Sequence, residues 1–388
     1  MNVLICVESL IDSGAEIFPI RFANEIAPDH SVTFFEMHPA KSTEKRQLAL
    51  IDQEKIRIVY GIDESSKNFL VAVVLRFSFL NKYHRKVFQT LRLLQVAWYL
   101  KKNNIPLVHS HSLESDVFFG RLRRFCNFKF ISSFHGHYEY YVHKQSNFRE
   151  RASLALAAID RVIFSTKAHV QTLDAFSYPQ EKRVKIFYGY SVAKAERVTS
   201  YHCGETLRLV VVARGVYDKG WEETIKAFLR ITAEGTYSLS LTLVGSGEFL
   251  DVMKERYSHP QIHFTGYQDD VRPYIAASHV CLLPSYLVSE SLPNSVIEYL
   301  ASGKPVVSTY IGAIDEMITH EGEIAGALLK LKNGVVDDKD IEVAVRRYLE
   351  HPELVAQHSA LALKAFSKFE MKNCVDRHLS LYEQVLAE

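Results

Sequence analysis

Glu290-Ser-Leu-Pro-Asn-Ser-Val-Ile-Glu298 combines a helix start with two carboxylates at a fixed separation. Pro293 suits the first turn of a helix, where its missing N–H costs nothing, and Gly303 marks the end of that helix. The free N–H groups and the positive dipole end at the helix start favour a bound anion such as a diphosphate. Glu298 falls off the apolar stripe of the helix, so its carboxylate can accept hydrogen bonds from two vicinal hydroxyl groups.

Glu290 lies in the loop before this helix, beside the expected anion. A diphosphate next to the vicinal hydroxyls of a ribose is part of a nucleotide sugar, and the segment is interpreted as a site for such a molecule. The alternative is a solvated surface helix with two unrelated glutamates, because this spacing is common by chance. The neighbouring sequence has to decide between the two.

Glu290 to Glu298 resembles the E-x7-E motif of the retaining glycosyltransferases of family 4, and the similarity continues through Gly312 and Glu316. It covers most of residues 205–385, whereas the first half of the chain resembles the family only weakly. The resemblance implies an α/β protein of the GT-B fold. In that fold two Rossmann-like parallel-sheet domains face a cleft, and a C-terminal helix crosses back to the first domain.

The chain is long enough for two domains, with 388 residues of which 47% are hydrophobic and 23% charged. We expect an acceptor domain at residues 1–195, a nucleotide-sugar domain at 205–370 and the returning helix at 371–388. Alternating strand and helix patterns predict a parallel sheet in each domain. The candidate strands are residues 2–7, 31–35, 56–60, 107–109, 129–134, 161–165 and 184–187, followed by 207–213, 239–244, 262–264, 280–283 and 306–308.

The resemblance also assigns roles to single residues. It implies that Arg214 and Lys219 neutralise the leaving diphosphate and that His135 contacts the donor sugar across the cleft. The residues expected to act in catalysis are His135, Arg214, Lys219 and Glu290. The residues expected to bind the donor are Gly14, Gly215, Gly245, Ser291, Leu292, Pro293, Asn294 and Glu298.

The loop after the first strand departs from the family pattern. Ser13-Gly14-Ala15-Glu16 resembles the family's Gly-Gly-Ala-Glu with one glycine replaced, and no G-x-G-x-x-G follows the strand. Pro19 lies inside the first helical pattern and is expected to kink that helix or to shift its start.

Two patterns suggest a metal ion. The pairs His109-Ser-His111 and His135-Gly-His137 invite a zinc interpretation, but no acidic or cysteine ligand accompanies them at metal-site spacing. Asp338-Lys-Asp340 has the form that metal-dependent sugar transferases of another fold use, yet it precedes a helical run and is better explained by helix capping. No metal and no cofactor are therefore expected.

The resemblance implies transfer with retention of the anomeric configuration, in which the leaving phosphate helps to deprotonate the acceptor hydroxyl. The donor is expected to be a UDP-sugar in preference to a GDP-sugar, and the acceptor a glycan or a lipid-linked molecule of bacterial surface polysaccharide synthesis. A nucleotide-sugar epimerase of the same fold is one alternative. A catalytically silent subunit that binds nucleotide sugar is another.

Charge and cysteine content bear on location and partners. Five cysteines without C-x-x-C spacing, and no apolar run of membrane-spanning length, favour a cytoplasmic enzyme.

Residues 65–113 contain eight basic and no acidic residues, interleaved with aromatic ones. This segment is expected to contact an anionic membrane, or alternatively to bind an anionic oligosaccharide. Part of it is also a candidate for the core, since Leu91, Leu94 and Trp98 recur at helical spacing. No nucleic acid partner is expected.

Overall fold

The protein, seen in a computed structural model, is described for residues 1–10, 14–39, 46–63, 84–135, 147–191, 200–288 and 290–388. It consists of two compact units. The first comprises Met1–Ser165, His169–Gly189 and Met371–Glu388, and the second comprises Thr166–Ala168 and Tyr190–Glu370.

The first unit is built on a parallel sheet whose described strands number seven, in the order β3-β2-β1-β4-β5-β6-β7. The chain reverses its direction across the sheet between β1 and β4, as in doubly wound folds. Strand β1 is buried on both faces and is correspondingly apolar, whereas β4 ends in the buried polar residues His109 and Ser110. The strands are β1 (Asn2–Val7), β2 (Ser31–Glu36), β3 (Ile56–Tyr60), β4 (Leu107–Ser110), β5 (Lys129–Ser133), β6 (Arg161–Phe164) and β7 (Arg183–Lys185).

Helices connect these strands. The first one begins at Gly14 and runs through Pro19, so Pro19 does not mark its start. The helices are α1 (Gly14–Ile26), α2 (Arg46–Ala49), α3 (His84–Lys102), α4 (Leu113–Leu122), α5 (Phe148–Ala158) and α6 (Lys167–Ala175).

The second unit repeats the same plan, with the strand order β10-β9-β8-β11-β12-β15. Strand β15 was missed in the sequence because it opens on Gly326 and carries no β-branched residue. The strands of this sheet are β8 (Leu207–Val212), β9 (Leu239–Val244), β10 (Ile262–Gly266), β11 (Val280–Leu283), β12 (Val306–Thr309) and β15 (Gly326–Leu329). Two small antiparallel pairs join β13 (Thr319–His320) to β14 (Glu323–Ile324) and β16 (Leu331–Lys332) to β17 (Val335–Val336).

Helices of this unit bury apolar faces against the sheet or against one another. In the helix that follows β8, the buried positions Trp221, Ile225 and Phe228 recur at helical spacing. The helices are α7 (Trp221–Ala233), α8 (Glu248–Arg256), α9 (Arg272–Ala277), α10 (Asn294–Ala301), α11 (Ile314–Ile318), α12 (Asp338–Glu350) and α13 (Glu353–Phe366).

The last helix, α14 (Met371–Ala387), packs on the first unit, as the sequence predicted. The Tyr382 hydroxyl lies 2.5 Å from Nδ1 of His109, and the guanidinium of Arg377 donates to the carbonyl of Lys185 at 2.6 Å. None of the helices in the described ranges is both long and apolar enough to cross a lipid bilayer.

The boundary between the units differs from the predicted one, which lay between residues 195 and 205. It falls between Gly189 and Tyr190. The backbone N–H of Tyr190 donates to the carbonyl of Phe369 at 2.7 Å, and its ring contacts Phe366. These contacts attach the chain to the second unit at Tyr190, before the predicted boundary.

Candidate functional site

Several residues of the predicted diphosphate site lie in loops at the carboxyl edge of the second sheet. Arg214 and Lys219 follow β8, Gly245 follows β9, and Glu290 follows β11. The strand order reverses between β8 and β11, and in open α/β sheets ligands bind at the carboxyl edge where this reversal occurs. The fold therefore gathers these residues at a position suited to a ligand.

Lys219 and Glu290 form an ion pair through the ammonium and one carboxylate oxygen. Each residue is only 7% exposed, so both charges are withdrawn from water. Burying two charges is costly unless they are paired and hydrogen-bonded, and removing one partner leaves the other as an unpaired buried charge. The pair thus holds a lysine and a glutamate in fixed positions, 71 residues apart in sequence.

Lys219 is placed by a tight turn. It ends a short 3-10 helix, Tyr217–Lys219, and Gly220 follows with φ of 74°. A Cβ at Gly220 would approach the carbonyl oxygen of Pro284 to 2.3 Å. The turn therefore requires glycine both for its positive φ and for this close approach.

The loops after β8 and β9 contact each other through their backbones. The N–H of Gly215 donates to the carbonyl of Ser246 at 2.7 Å, and a Cβ at Gly215 would lie 2.8 Å from the nitrogen of Gly247. Gly245 has φ of 152°, and a Cβ there would meet the carbonyl oxygen of Ala213 at 2.0 Å. In the structure Gly215 and Gly245 allow close packing between two loops, and their expected contact with the donor stays a prediction.

Arg214 differs from Lys219 in exposure. Its side chain is exposed, while its carbonyl accepts a hydrogen bond from the indole N–H of Trp221 at 2.9 Å. The backbone of Arg214 is thus fixed, and its guanidinium remains in solvent.

The segment from Glu290 to Pro293 is held by the loop after β12. Gly312 has φ of 60°, and a Cβ there would lie 2.5 Å from the carbonyl oxygen of Glu290. The N–H of Ala313 donates to the carbonyl of Ser291 at 2.9 Å. Ser291 and Leu292 are buried, and Asn294 begins α10.

The start of α10 lies one residue later than predicted. Pro293 precedes the helix with φ of −65° and ψ of 123°, because it keeps the φ of a helical residue but an extended ψ. The helix start carries no side-chain cap, so the dipole and the first N–H groups are not neutralised by a capping side chain.

As predicted, Gly303 terminates α10, whose last helical residue is Ala301. The φ of Gly303 is 60°, its N–H donates to Leu300 and the N–H of Lys304 donates to Tyr299, both at 2.9 Å. These two bonds form a Schellman motif. The side chain of Lys304 is fully buried and its ammonium donates to the carbonyls of Ala276 and Ser278 at 2.7 Å, a contact that the sequence did not indicate.

Glu298 lies on α10 beside the buried stripe and is partly exposed. Its Oε1 accepts a hydrogen bond from the Tyr190 hydroxyl at 3.2 Å. The guanidinium of Arg272 is also near: its pKa is raised first by the hydrogen bond to Asp270 and more weakly by the charges of Tyr190 and Glu298. Tyr190 and Arg272 were not predicted, because nothing in the sequence connects them with a residue so distant along the chain.

Two predicted residues, Gly14 and His135, belong to the first unit. Gly14 begins α1, and His135 follows β5. Nε2 of His135 lies 2.8 Å from Nδ1 of His111, and burial lowers the pKa of His135 to about 3. The imidazole of His135 is therefore neutral at physiological pH.

The residues of the two metal hypotheses have other partners. Among the described residues, no group of three or more histidine, cysteine, aspartate or glutamate side chains could hold a metal ion. His111 bonds to His135 and His109 bonds to Ser133, while His137 lies outside the described residues. Asp338 pairs with Arg230 and Asp340 with Lys332. The residue that caps α12 is Asp337, not Asp338 or Asp340 as the sequence suggested.

Two family models match the chain. One, described as Glycosyltransferase Family 4, matches residues 13–192, and the other, described as Glycosyl transferases group 1, matches residues 206–351. Together they account for most of the chain.

Curated relatives match over shorter stretches. The amylovoran biosynthesis glycosyltransferase AmsK of Erwinia amylovora is 28% identical over 167 residues, which are 38% of this chain and 41% of AmsK. The lipopolysaccharide core biosynthesis glycosyltransferase LpsE of Rhizobium meliloti (strain 1021) is 36% identical over 102 residues, 25% of this chain and 28% of LpsE. The chain thus spans less than half the length of these relatives.

Solved structures match over the whole chain. The crystal structure of HepE from Anabaena in complex with UDP and glucose has a TM-score of 0.72 and covers 99% of this chain and 99% of its own, with 16% sequence identity. At this identity the likeness concerns the fold alone. It confirms the predicted GT-B architecture of two parallel-sheet α/β domains.

Proposed function

Since this chain belongs to the glycosyltransferases described by the group 1 and family 4 models, we propose that it transfers a sugar from a nucleotide diphosphate sugar to an acceptor hydroxyl. The observation that carries the proposal is the gathering of Arg214, the Lys219–Glu290 pair and the uncapped start of α10 at one edge of the second sheet. Neither alternative, epimerase or silent subunit, gains support from relatives that are described as glycosyltransferases.

The diphosphate would be neutralised by protein groups. Arg214 offers an exposed guanidinium, Lys219 an ammonium fixed by Glu290, and α10 a helix start without a side-chain cap. Fixed positive groups aimed at developing charge stabilise the departure of a phosphate leaving group. This supply of charge supports a reaction without a metal ion.

Glu298 is the proposed partner of the donor's ribose. Its carboxylate is partly exposed and is oriented by the Tyr190 hydroxyl, which leaves acceptor capacity for the hydroxyls of the ligand. The structurally similar HepE has been crystallised with UDP and glucose, which favours a UDP-sugar for this chain. For His135, the proposed role is a neutral hydrogen bond to a hydroxyl of the transferred sugar.

The proposed reaction retains the anomeric configuration. The bond between the anomeric carbon and the phosphate oxygen breaks, and a bond to the acceptor oxygen forms on the same face. The acceptor proton passes to the leaving phosphate, so that nucleoside diphosphate and glycosylated acceptor are the products. A nucleophilic side chain is not needed in this scheme.

The acceptor is proposed to be a glycan or a lipid-linked molecule of bacterial surface polysaccharide synthesis, as the names of AmsK and LpsE suggest. A lipid-linked acceptor would place the enzyme on the cytoplasmic face of the plasma membrane, in contact with anionic lipid through the acid-free segment 65–113.

A panel of nucleotide sugars, incubated with and without candidate acceptors, tests the proposal through release of nucleoside diphosphate. We expect release to depend on one donor and to rise when an acceptor is added, with the product's anomeric configuration matching the donor's. Formation of an altered free nucleotide sugar without any acceptor would instead establish the epimerase. An inverted product would disprove retention.

A further inference from the structure

Helix α3 has two opposite faces. Phe88, Arg92, Val96 and Leu100 are buried at four-residue spacing, whereas Lys86, Leu94, Trp98 and Lys102 are exposed. The two sets are offset by two residues, which places them on opposite sides of a helix. The sequence interpretation that packed Leu94 and Trp98 into the core is therefore wrong, and the buried basic residue is Arg92, which donates to the carbonyl of Ile62.

The outward face of α3 is apolar in its centre and basic at its ends. Leu94 is 63% exposed and Trp98 is 60% exposed. The ammonium of Lys102 lies 4.5 Å from the centre of the Trp98 ring, and Lys101 is exposed beside it. Exposed tryptophan with lysine beside it is typical of groups that lie at a lipid headgroup layer.

The turn that follows α4 extends this face. Helices α3 and α4 are in contact, and the Lys101 ammonium is close enough to Cys126 to oppose the rise in its thiol pKa that burial causes. Immediately before Cys126, Phe125 is 80% exposed and Arg124 is also exposed. The combination of large apolar and basic side chains therefore continues from α3 to the turn that follows α4.

The acidic side chains of this stretch of the chain are engaged elsewhere. Residues 84–135 contain two of them, Glu114 and Asp116. Glu114 pairs with Arg151, and Asp116 is buried and accepts from the hydroxyls of Ser110 and Ser132. The face thus carries positive charge that no neighbouring carboxylate from this stretch compensates.

We propose that Leu94, Trp98 and Phe125, with Lys86, Lys101, Lys102 and Arg124 around them, form the surface by which the first unit docks on an anionic lipid bilayer. A bilayer satisfies both features, since its phosphates attract the basic side chains and its interfacial region accepts the apolar ones. An anionic glycan could pair with the basic side chains but has no apolar region to contact Leu94 and Phe125. The inference refines the membrane contact of the proposed function and does not depend on glycosyl transfer.

The two tryptophans of the chain provide a direct test. Trp221 is fully buried, so a change in emission on adding vesicles reports on Trp98. We expect a blue shift and protection from iodide with vesicles that contain about 30% phosphatidylglycerol, no change with phosphatidylcholine alone, and reversal by high salt. The Trp98→Phe variant should lose the optical signal but still sediment with the anionic vesicles.

Matched variants separate the two components of the surface. Leu94→Ser with Phe125→Ser, and separately Lys101→Glu with Lys102→Glu, should each weaken sedimentation with anionic vesicles about tenfold or more. The control Val343→Ser removes an equally exposed apolar side chain (61%) from the second unit and should bind as the unchanged protein does. The assignment would be overturned if the protein sedimented with anionic vesicles but the Trp98 emission wavelength did not change. It would also be overturned if neither double variant weakened binding to these vesicles.

Donor turnover with a soluble acceptor distinguishes this inference from the proposed function. The Lys101→Glu, Lys102→Glu variant should keep that turnover while it loses vesicle binding. If the unchanged protein bound vesicles but used no nucleotide sugar, the proposed function would fail and the docking surface would stand. Absence of binding to either vesicle, with turnover intact, would remove the docking surface alone.

Discussion

Two buried polar clusters, one in each unit, differ in their charge state. In the second unit, Lys219 and Glu290 are buried as an ion pair of opposite charges. In the first unit, His109, His111 and His135 lie close together with one hydrogen bond from ring to ring, and burial lowers the pKa of each. An opposite charge offsets the cost of burial, whereas a neighbouring imidazole adds to the cost of protonation. The second unit therefore offers fixed charge to a ligand, and the first offers neutral hydrogen-bonding groups.

Loss of the fixed charge should have the largest effect. Lys219→Ala and Arg214→Ala should each raise the barrier to transfer by about 2 to 4 kcal/mol, because a cation that stabilises the leaving diphosphate is removed. Steady-state turnover measures this, and Lys226→Ala, an exposed lysine on α7, is the matched control. A loss of tenfold or less in both variants would place these cations outside the diphosphate site.

The same ion pair permits a separation of stability from activity. Lys219→Met should destabilise the protein by roughly 3 to 5 kcal/mol, because it removes the opposite charge that offsets the burial of the Glu290 carboxylate. Adding Glu290→Gln should recover much of the free energy of unfolding in urea titrations but none of the turnover. Recovery of turnover in the double variant would show that the pair is structural.

Acid should destabilise the first unit through its histidines. Burial lowers the pKa of His135 to about 3 and that of His378 to about 4, and that of His109 and His111 well below the ordinary value. Unfolding restores each pKa to about 6.5, so below this pH the unfolded chain binds more protons. Their contribution to stability is thus complete above about pH 6.5 and falls as the pH drops toward the folded values.

The expected slope is up to about 1.4 kcal/mol per pH unit for each histidine in this range. Chemical unfolding between pH 7 and pH 5 measures it. His378→Phe should reduce the slope, while His351→Phe, which changes an exposed histidine in the second unit, should leave it unchanged. A stability that is flat over this range would mean that the buried rings are protonated in the folded protein.

Glu298→Gln tests the ribose assignment with a smaller effect. It should weaken binding of UDP by about tenfold, since a hydrogen bond to a charged acceptor becomes one to a neutral acceptor. Stability should change little, because Glu298 is partly exposed. Isothermal titration calorimetry measures the affinity, with Tyr190→Phe as a milder variant that keeps the carboxylate but removes its hydroxyl partner. An unchanged affinity in Glu298→Gln would exclude the ribose contact.

Removal of divalent metal should have the smallest effect. Turnover should persist in EDTA and gain little from added magnesium or manganese, because Arg214, Lys219 and the start of α10 supply the positive charge. Complete loss in EDTA, rescued by one metal, would contradict this. It would direct attention to the histidine pairs and to Asp338 and Asp340.

Local sequence signals were sufficient for much of the second unit. Strands β9 and β11 have the predicted bounds, and Gly303 ends α10 because its positive φ and the Schellman bonds depend on residues within one turn. Strand β15 was missed because its place in the sheet is decided by the neighbour it pairs with, β12, and not by its own residues.

The first unit shows the limit of pattern reasoning on a helix. The sequence revealed that α3 is basic and apolar together, but periodicity alone left open which side would face the core. Packing buried Phe88 and Arg92 and exposed Leu94 and Trp98. The buried arginine is stabilised there by the carbonyl of Ile62, a partner 30 residues away in sequence.

By itself, the sequence determined the two α/β units and the returning helix, because these depend on periodicity and turn chemistry within short stretches. It supplied the donor-site residues only as predictions from motif spacing. Only the tertiary structure decided the contacts of Lys219 with Glu290, of Tyr190 with Glu298 and of His111 with His135. These pairs are 71, 108 and 24 residues apart. Each joins side chains from separate segments of the chain, and such a contact arises only when the fold brings those segments together.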